Sequence, residues 1–187
     1  MFNNNLIKLN NMACDISLGR LEACKQNVGG LKAVYFINYN PTLLSGSTIT
    51  SESISALGSS VDAYKYELKA DGNTYEEANE NSRDNGTSFF TQTGTLVLKV
   101  QDAATQAELT QLSYGRPHVI IEDYNGTFRL AGAEHGVEVS VNTTSGGAMG
   151  DLNGYNISFE GKERGMATFI DSALIGDASG FSVTEGA

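Results

Sequence analysis

The 187-residue sequence has no tryptophan, two prolines, two cysteines and two histidines, and each scarcity closes off a class of protein. Cys14 and Cys24 stand ten positions apart, with no Cys-x-x-Cys pair and no histidine beside them, so the spacing of a zinc finger or ribbon is missing. A bond between the two is geometrically open if the segment folds back, and two buried or half-buried thiols are the simpler expectation. Basic residues are also few. Twelve lysines and arginines against 22 acidic residues leave a net charge of −10, which disfavours tight contact with nucleic acid, itself a dense polyanion.

Long apolar runs are lacking as well. Nothing approaches the ~18 consecutive apolar residues of a membrane span. Leu6, Ile7 and Leu9 are interrupted by Lys8 and flanked by asparagines, so no signal peptide is expected, and Cys14 after Asn11, Met12 and Ala13 lacks the apolar stretch a lipoprotein signal needs. Four Asn-x-Ser/Thr sites, at Asn85, Asn125, Asn142 and Asn156, carry meaning only on a eukaryotic secretory route.

What is present is a chain that can fold: 40% hydrophobic and 18% charged residues, with length for one domain and a sizeable core. Residues 1–12 are rich in asparagine and end at a second methionine, Met12, which suggests a flexible arm or a start placed upstream of the true one. A single β-rich domain is expected over 13–171, and a tail over 172–187.

Within that domain the patterning is mostly of period two. Residues 31–39 are β-branched and aromatic on both faces and read as a well-buried strand. Residues 61–70 alternate, with Tyr64, Tyr66 and Leu68 expected inward and Lys65, Glu67 and Lys69 outward. Residues 71–86 are polar and read as a long protruding hairpin or loop, so deleting 72–86 should leave the domain folded. Further strands are expected at 95–100, 118–124, 127–131, 137–142 and 155–160, with Asn125-Gly126 as a tight hairpin turn.

One helix is expected between Asp102, a good N-cap, and Gly115, packing along Leu109 and Leu112. Together these elements describe a mainly β fold, a β-sandwich or barrel with one flanking helix.

Chemistry-bearing motifs are sparse. His118 and His135 have carboxylates nearby at Glu122, Asp123 and Glu134, but a metal site would need a further ligand from elsewhere and a general base would need a nucleophile. The glycine-rich stretch 146–154 lacks the Gly-Lys-Ser/Thr ending of a phosphate loop and precedes a strand, so it reads as a hairpin or interface loop. Asp123 to Gly126 is half of a calcium loop without its remaining ligands. No Gly-x-Ser-x-Gly elbow occurs, and no enzyme, catalytic residue, metal or cofactor is expected.

Three stretches carry a resemblance: Cys14 to Cys24 leading into Gly29 to Phe36; the helix followed by Val119 to Gly126 and Gly132 to Gly136; and Asn153 to Gly161 closing at Ala167 to Ile170. In their order and spacing these are similar to tail tube proteins of long-tailed bacteriophages. The resemblance implies a structural virion protein, made in the host cytoplasm and located in the tail, whose copies form rings of six. The rings stack through the N-terminal segment and a long loop, for which 13–30 and 71–87 are the candidates, and DNA passes through the lumen without specific binding. Other tail proteins would meet the tube at its ends. A ring terminator, a baseplate hub, a secretion-tube protein and a carbohydrate-binding adhesin built on the eight tyrosines are the alternative readings.

Overall fold

Residues 18–186, apart from Ala23 and Ala70, are described by a computed structural model. They form two β-sheets and one α-helix, as the alternating runs require. The expectation for residues 1–12, and that for Cys14, lie outside the described residues.

The larger sheet has eight strands in the order β12-β4-β1-β7-β8-β11-β3-β2. Its centre is β1 (Leu31–Ile37), paired antiparallel with β4 (Val61–Glu67) on one side and β7 (His118–Asp123) on the other. Beyond β7 come β8 (Phe128–Ala131), β11 (Thr168–Ile170), β3 (Ser53–Ala56) and β2 (Thr48–Thr50). The smaller sheet is β5-β6-β10-β9, with every neighbour antiparallel and no register shift. Its strands are β5 (Thr74–Ser82), β6 (Thr87–Lys99), β9 (Glu138–Thr144) and β10 (Gly154–Glu163).

Period-two alternation decides where the core sits. Val34, Phe36, Val119 and Ile121 point from the larger sheet into one cluster with Leu96, Val139, Tyr155, Ile157 and Phe159 of the smaller sheet. The opposite side chains of the same strands, Ala33, Tyr35, Ile37 and Ile120, enter a second cluster with Ile54, Leu130, Ile170 and Phe181. Apolar residues on both faces of β1 are thereby accounted for: the larger sheet is covered on both sides. In the first cluster Phe159 lies directly over Gly94, where a Cβ would meet its ring at 2.2 Å. Only glycine fits beneath that ring, and any larger residue would force the two strands apart.

The helix α1 (Ala103–Tyr114) lies where expected, capped by Asp102, whose carboxylate accepts the Thr105 N–H at 2.8 Å. Those cap bonds hold the Asp102 carboxyl below its ordinary range. Leu109 is buried in the first cluster, Leu112 packs against it, and the Tyr155 hydroxyl donates to the Asp102 carbonyl, tying the start of the helix to β10.

The structure refines or corrects four expectations. Residues 172–187 are not a tail set apart from the domain: they supply a single 3-10 turn, Ser172–Leu174, and β12 (Phe181–Glu185), which pairs parallel with β4 and buries Phe181 completely. Of the two forms expected for 71–86 the hairpin is the one present: after a turn at 71–72, β5 pairs with β6 at nine positions around the 83–86 turn, so the stretch is not a loop. Tyr64 shares the face of Tyr66 and Leu68, which join the first cluster, but is itself exposed, and Ala63 and Val61 join the second cluster from the opposite face. The Asn125-Gly126 turn is wider than two residues. Asp123 N–H bonds to Thr127 O, and of the turn residues only Gly126 takes a positive φ, which disfavours the type I′ pair.

The smaller sheet has two unlike ends. At one lie the 83–86 turn and the Glu163 end of β10; at the other lie the 145–153 loop and the start of the helix.

Candidate functional site

Among the described residues five polar side chains are buried: Asn73, Gln92, His118, Glu122 and Glu163. Burying such groups is costly unless each is hydrogen-bonded, so their partners show what they hold in place. Three of the five converge on the turn 132–136 between β8 and β9. Gln92 Oε1 accepts the Gly132 N–H at 2.8 Å, His118 Nδ1 lies 2.6 Å from Gly132 O, and Glu163 Oε1 accepts the N–H groups of Glu134 at 3.1 Å and His135 at 2.9 Å. The other ring nitrogen of His118 accepts the Asn40 N–H at 3.0 Å, which leaves the proton on Nδ1 facing Gly132. His118 is therefore a structural donor with both nitrogens engaged.

The turn itself depends on Gly132 and Gly136, at φ 65° and 74°. A Cβ at Gly136 would lie 2.3 Å from the Arg116 carbonyl. So fixed, the turn carries Glu134 and His135 to the surface beside Glu163, and one donor atom from each of the three falls within 4.8 Å of the others. The sequence singled out Glu134 and His135 but not Glu163. The signal was there: continuing the inward set Phe159, Gly161 by two residues puts Glu163 on the core face of β10.

The remaining sequence candidates have separate, local partners. Glu122 accepts the Tyr35 hydroxyl at 2.7 Å and the Lys32 ammonium, away from His118. Burial, and then that bond to Glu122, push the Tyr35 phenol well above its ordinary range. Asp123 accepts from the N–H groups of Asn125 and Thr127, both at 2.9 Å, so its oxygen closes its own turn rather than a calcium loop. In the glycine-rich 146–154 stretch, Asp151 Oδ2 accepts the Gly147 and Ala148 N–H groups at 2.8 Å each. The chain's own carboxylate thus occupies the amide nest that a phosphate would need, and these bonds hold the Asp151 carboxyl below its ordinary range. Cys24 is exposed.

Asn125 has a second role that its turn position did not announce. Its side chain accepts the Val28 N–H at 3.0 Å and donates to the Val28 carbonyl at 2.8 Å, fastening the extended segment before β1 to the β7–β8 hairpin. That segment leaves Leu18 and Leu21 about nine-tenths exposed, at 86% and 92%. Asn125→Ala should speed exchange of the Val28 amide by roughly tenfold, read by hydrogen exchange, with the melting temperature within about 2 °C of wild type, because the lost bonds are exposed.

The outer face of the smaller sheet is the other candidate surface. Alternation places Glu76, Ala78 and Glu80 of β5, Thr91, Thr93 and Thr95 of β6, Asn156, Ser158, Glu160 and Lys162 of β10, and Glu138, Ser140 and Asn142 of β9 on the side away from the core. Val97 and Phe89 interrupt it only toward its two ends. The face is hydroxyl-rich and acidic, with Lys99 and Lys162 as its basic side chains among the described strand residues. Both borders of this sheet, β5 and β9, are edge strands without proline or bulge, although β5 carries Glu76, Glu77 and Glu80 and α1 lies against β9.

Comparison of the chain with models of protein families, with curated proteins and with solved structures found no match. Among the described residues no helix is long and apolar enough to cross a membrane.

Proposed function

We propose that this chain is a structural, non-enzymatic subunit of a bacteriophage tail tube, working by self-association into stacked rings of six. The observation that carries the reading is the outer face of the smaller sheet, wet and acidic between its two edge strands. Four strands in strict antiparallel alternation have a property that three or five would lack. When identical copies are related by rotation, β9 of one meets β5 of the next with opposite direction, so the alternation continues unbroken around the ring.

Six such sheets supply about 24 strands, and at ~4.8 Å spacing and ~40° tilt they close a barrel roughly 50 Å across at the backbone, wide enough for an open channel. Closure removes the edges, and the apolar cores remain outside the barrel, leaving threonine, serine, asparagine and glutamate toward the lumen. Against passing DNA such a lining offers hydroxyls that exchange bonds readily and carboxylates that repel phosphate within a Debye length of ~8 Å. The protruding 83–86 turn and the arm with exposed Leu18 and Leu21 are the parts placed to join one ring to the next.

Electron microscopy of the purified protein at increasing concentration tests this. Long polymers of uniform width, hollow and one ring across, are expected. Isolated rings that never stack would favour a terminator, and a protein that stays monomeric at about 1 mM would end the proposal.

A further inference from the structure

We infer that Glu134, His135 and Glu163 form a binding site for a divalent transition-metal ion of the zinc type. The inference is independent of the tube reading, since it rests on one turn of a single chain.

The geometry already resembles part of a coordination shell. His135 Nδ1 and Glu163 Oε2 are 3.2 Å apart. Two donors each bound at ~2.0–2.1 Å to one tetrahedral ion are separated by about 3.3 Å, so an ion could sit between them with little movement of either. The Glu134 carboxylate completes three donors within 4.8 Å. One imidazole with two carboxylates suits zinc better than calcium or magnesium, which take oxygen ligands almost exclusively.

Each donor is held by something other than the ion. Glu163 is buried, with only 4% of its side chain exposed, and its second oxygen is anchored by the backbone N–H groups of Glu134 and His135. That is the outer-shell support that orients ligating carboxylates, and it leaves Oε2 facing His135 Nδ1. Glu134 and His135 are adjacent on a turn pinned by Gln92 and His118, so their backbone does not need to reorganise for binding. Their side chains are 53% and 58% exposed, which gives an entry path and room for water at the remaining coordination position.

Charge favours the same conclusion. Two carboxylates converge on one imidazole, and the nearest fixed cation, the Arg164 guanidinium, stands 3.7 Å from Glu134 alone. A dication would neutralise both carboxylates and clip the β8–β9 turn to the end of β10.

The test is a titration of the full chain with cobalt(II) and zinc(II) chlorides. Cobalt should bind one to one with a visible spectrum free of a sulfur charge-transfer band, which separates this site from Cys14 and Cys24. Zinc at 100 times its dissociation constant should raise the melting temperature by roughly 5–10 °C. His135→Ala, whose side chain is mostly exposed, should keep the metal-free melting temperature and lose affinity at least tenfold, and Glu134→Ala should do the same. Glu163→Gln also disturbs the turn, so it is read only if its metal-free melting temperature is unchanged. No binding at 1 mM metal, a sulfur band, or undiminished binding in His135→Ala would each overturn the inference and leave the trio as a hydrogen-bonded ion pair.

Discussion

If the chain forms the proposed tubes, those in which Glu76, Glu80, Glu138 and Glu160 are all replaced by lysine are expected to retain duplex DNA at physiological salt, and unsubstituted tubes to release it. All four carboxylates project from the outer face of the smaller sheet, away from both core clusters, so the substitutions leave the packing untouched. Reversal changes the lining from four carboxylates and two ammonium groups per copy to ammonium groups alone. Repeated around a ring, that places more cations along the channel than the 6–10 phosphate contacts that make binding fall ~10³–10⁵-fold between 50 and 200 mM salt. The measurement is DNA retention on sedimented tubes across that salt range. Equal, negligible retention by both proteins would mean that this face does not line the passage. Loss of polymers in the variant would point instead to a role for the carboxylates between copies.

Deleting residues 72–86 is expected to abolish folding, contrary to what the polar character of that stretch suggests. The deletion removes β5 with its nine paired positions, the Tyr75 ring stacked 6.3 Å from Phe159, and the Asn73 side chain that accepts the Val97 N–H at 2.7 Å. It also removes Glu77, which accepts the Ala167 N–H at 2.9 Å from a nearly buried position. These losses add to about 5 kcal/mol or more, comparable with the whole stability of an ordinary domain. Replacing only 83–86 by Asn-Gly should keep the melting temperature within about 3 °C and interrupt stacking alone. Circular dichroism melts of the two variants decide the matter, and a cooperatively folded protein lacking 72–86 would show that β5 is dispensable.

β5 also shows where sequence patterning stops being informative. The helix was legible because Asp102 and Gly115 mark its ends and Leu109 and Leu112 its buried stripe. β7 and β10 were legible because their alternating residues pack on one face or both. β5 is an edge strand whose outer face is wet and whose inner face carries Tyr75, Glu77 and Asn79, so no apolar alternation betrays it. The first half of β6, with Thr91 and Thr93 facing outward and Gln92 and Gly94 inward, is concealed in the same way.

The inward position of Glu163 follows from the alternation of β10, but the partners that make burial of Gln92 and Glu163 tolerable lie on the distant 132–136 turn and could not be read from either strand alone. β12 was hidden for a different reason. Phe181 has few apolar neighbours in sequence, and its place is set by β4, more than a hundred residues earlier.

The unlike ends of the smaller sheet have a consequence for any assembly made by rotating copies about one axis. Every copy then points the same way, so one rim of the cylinder shows the 83–86 turn with Glu134 and His135, and the other shows the 145–153 loop with Met149 at full exposure. Such a cylinder has a head and a foot, and a column of them reads in one direction only. Whatever starts the column must fit one rim and whatever finishes it must fit the other, so the order of construction is inscribed in a single chain.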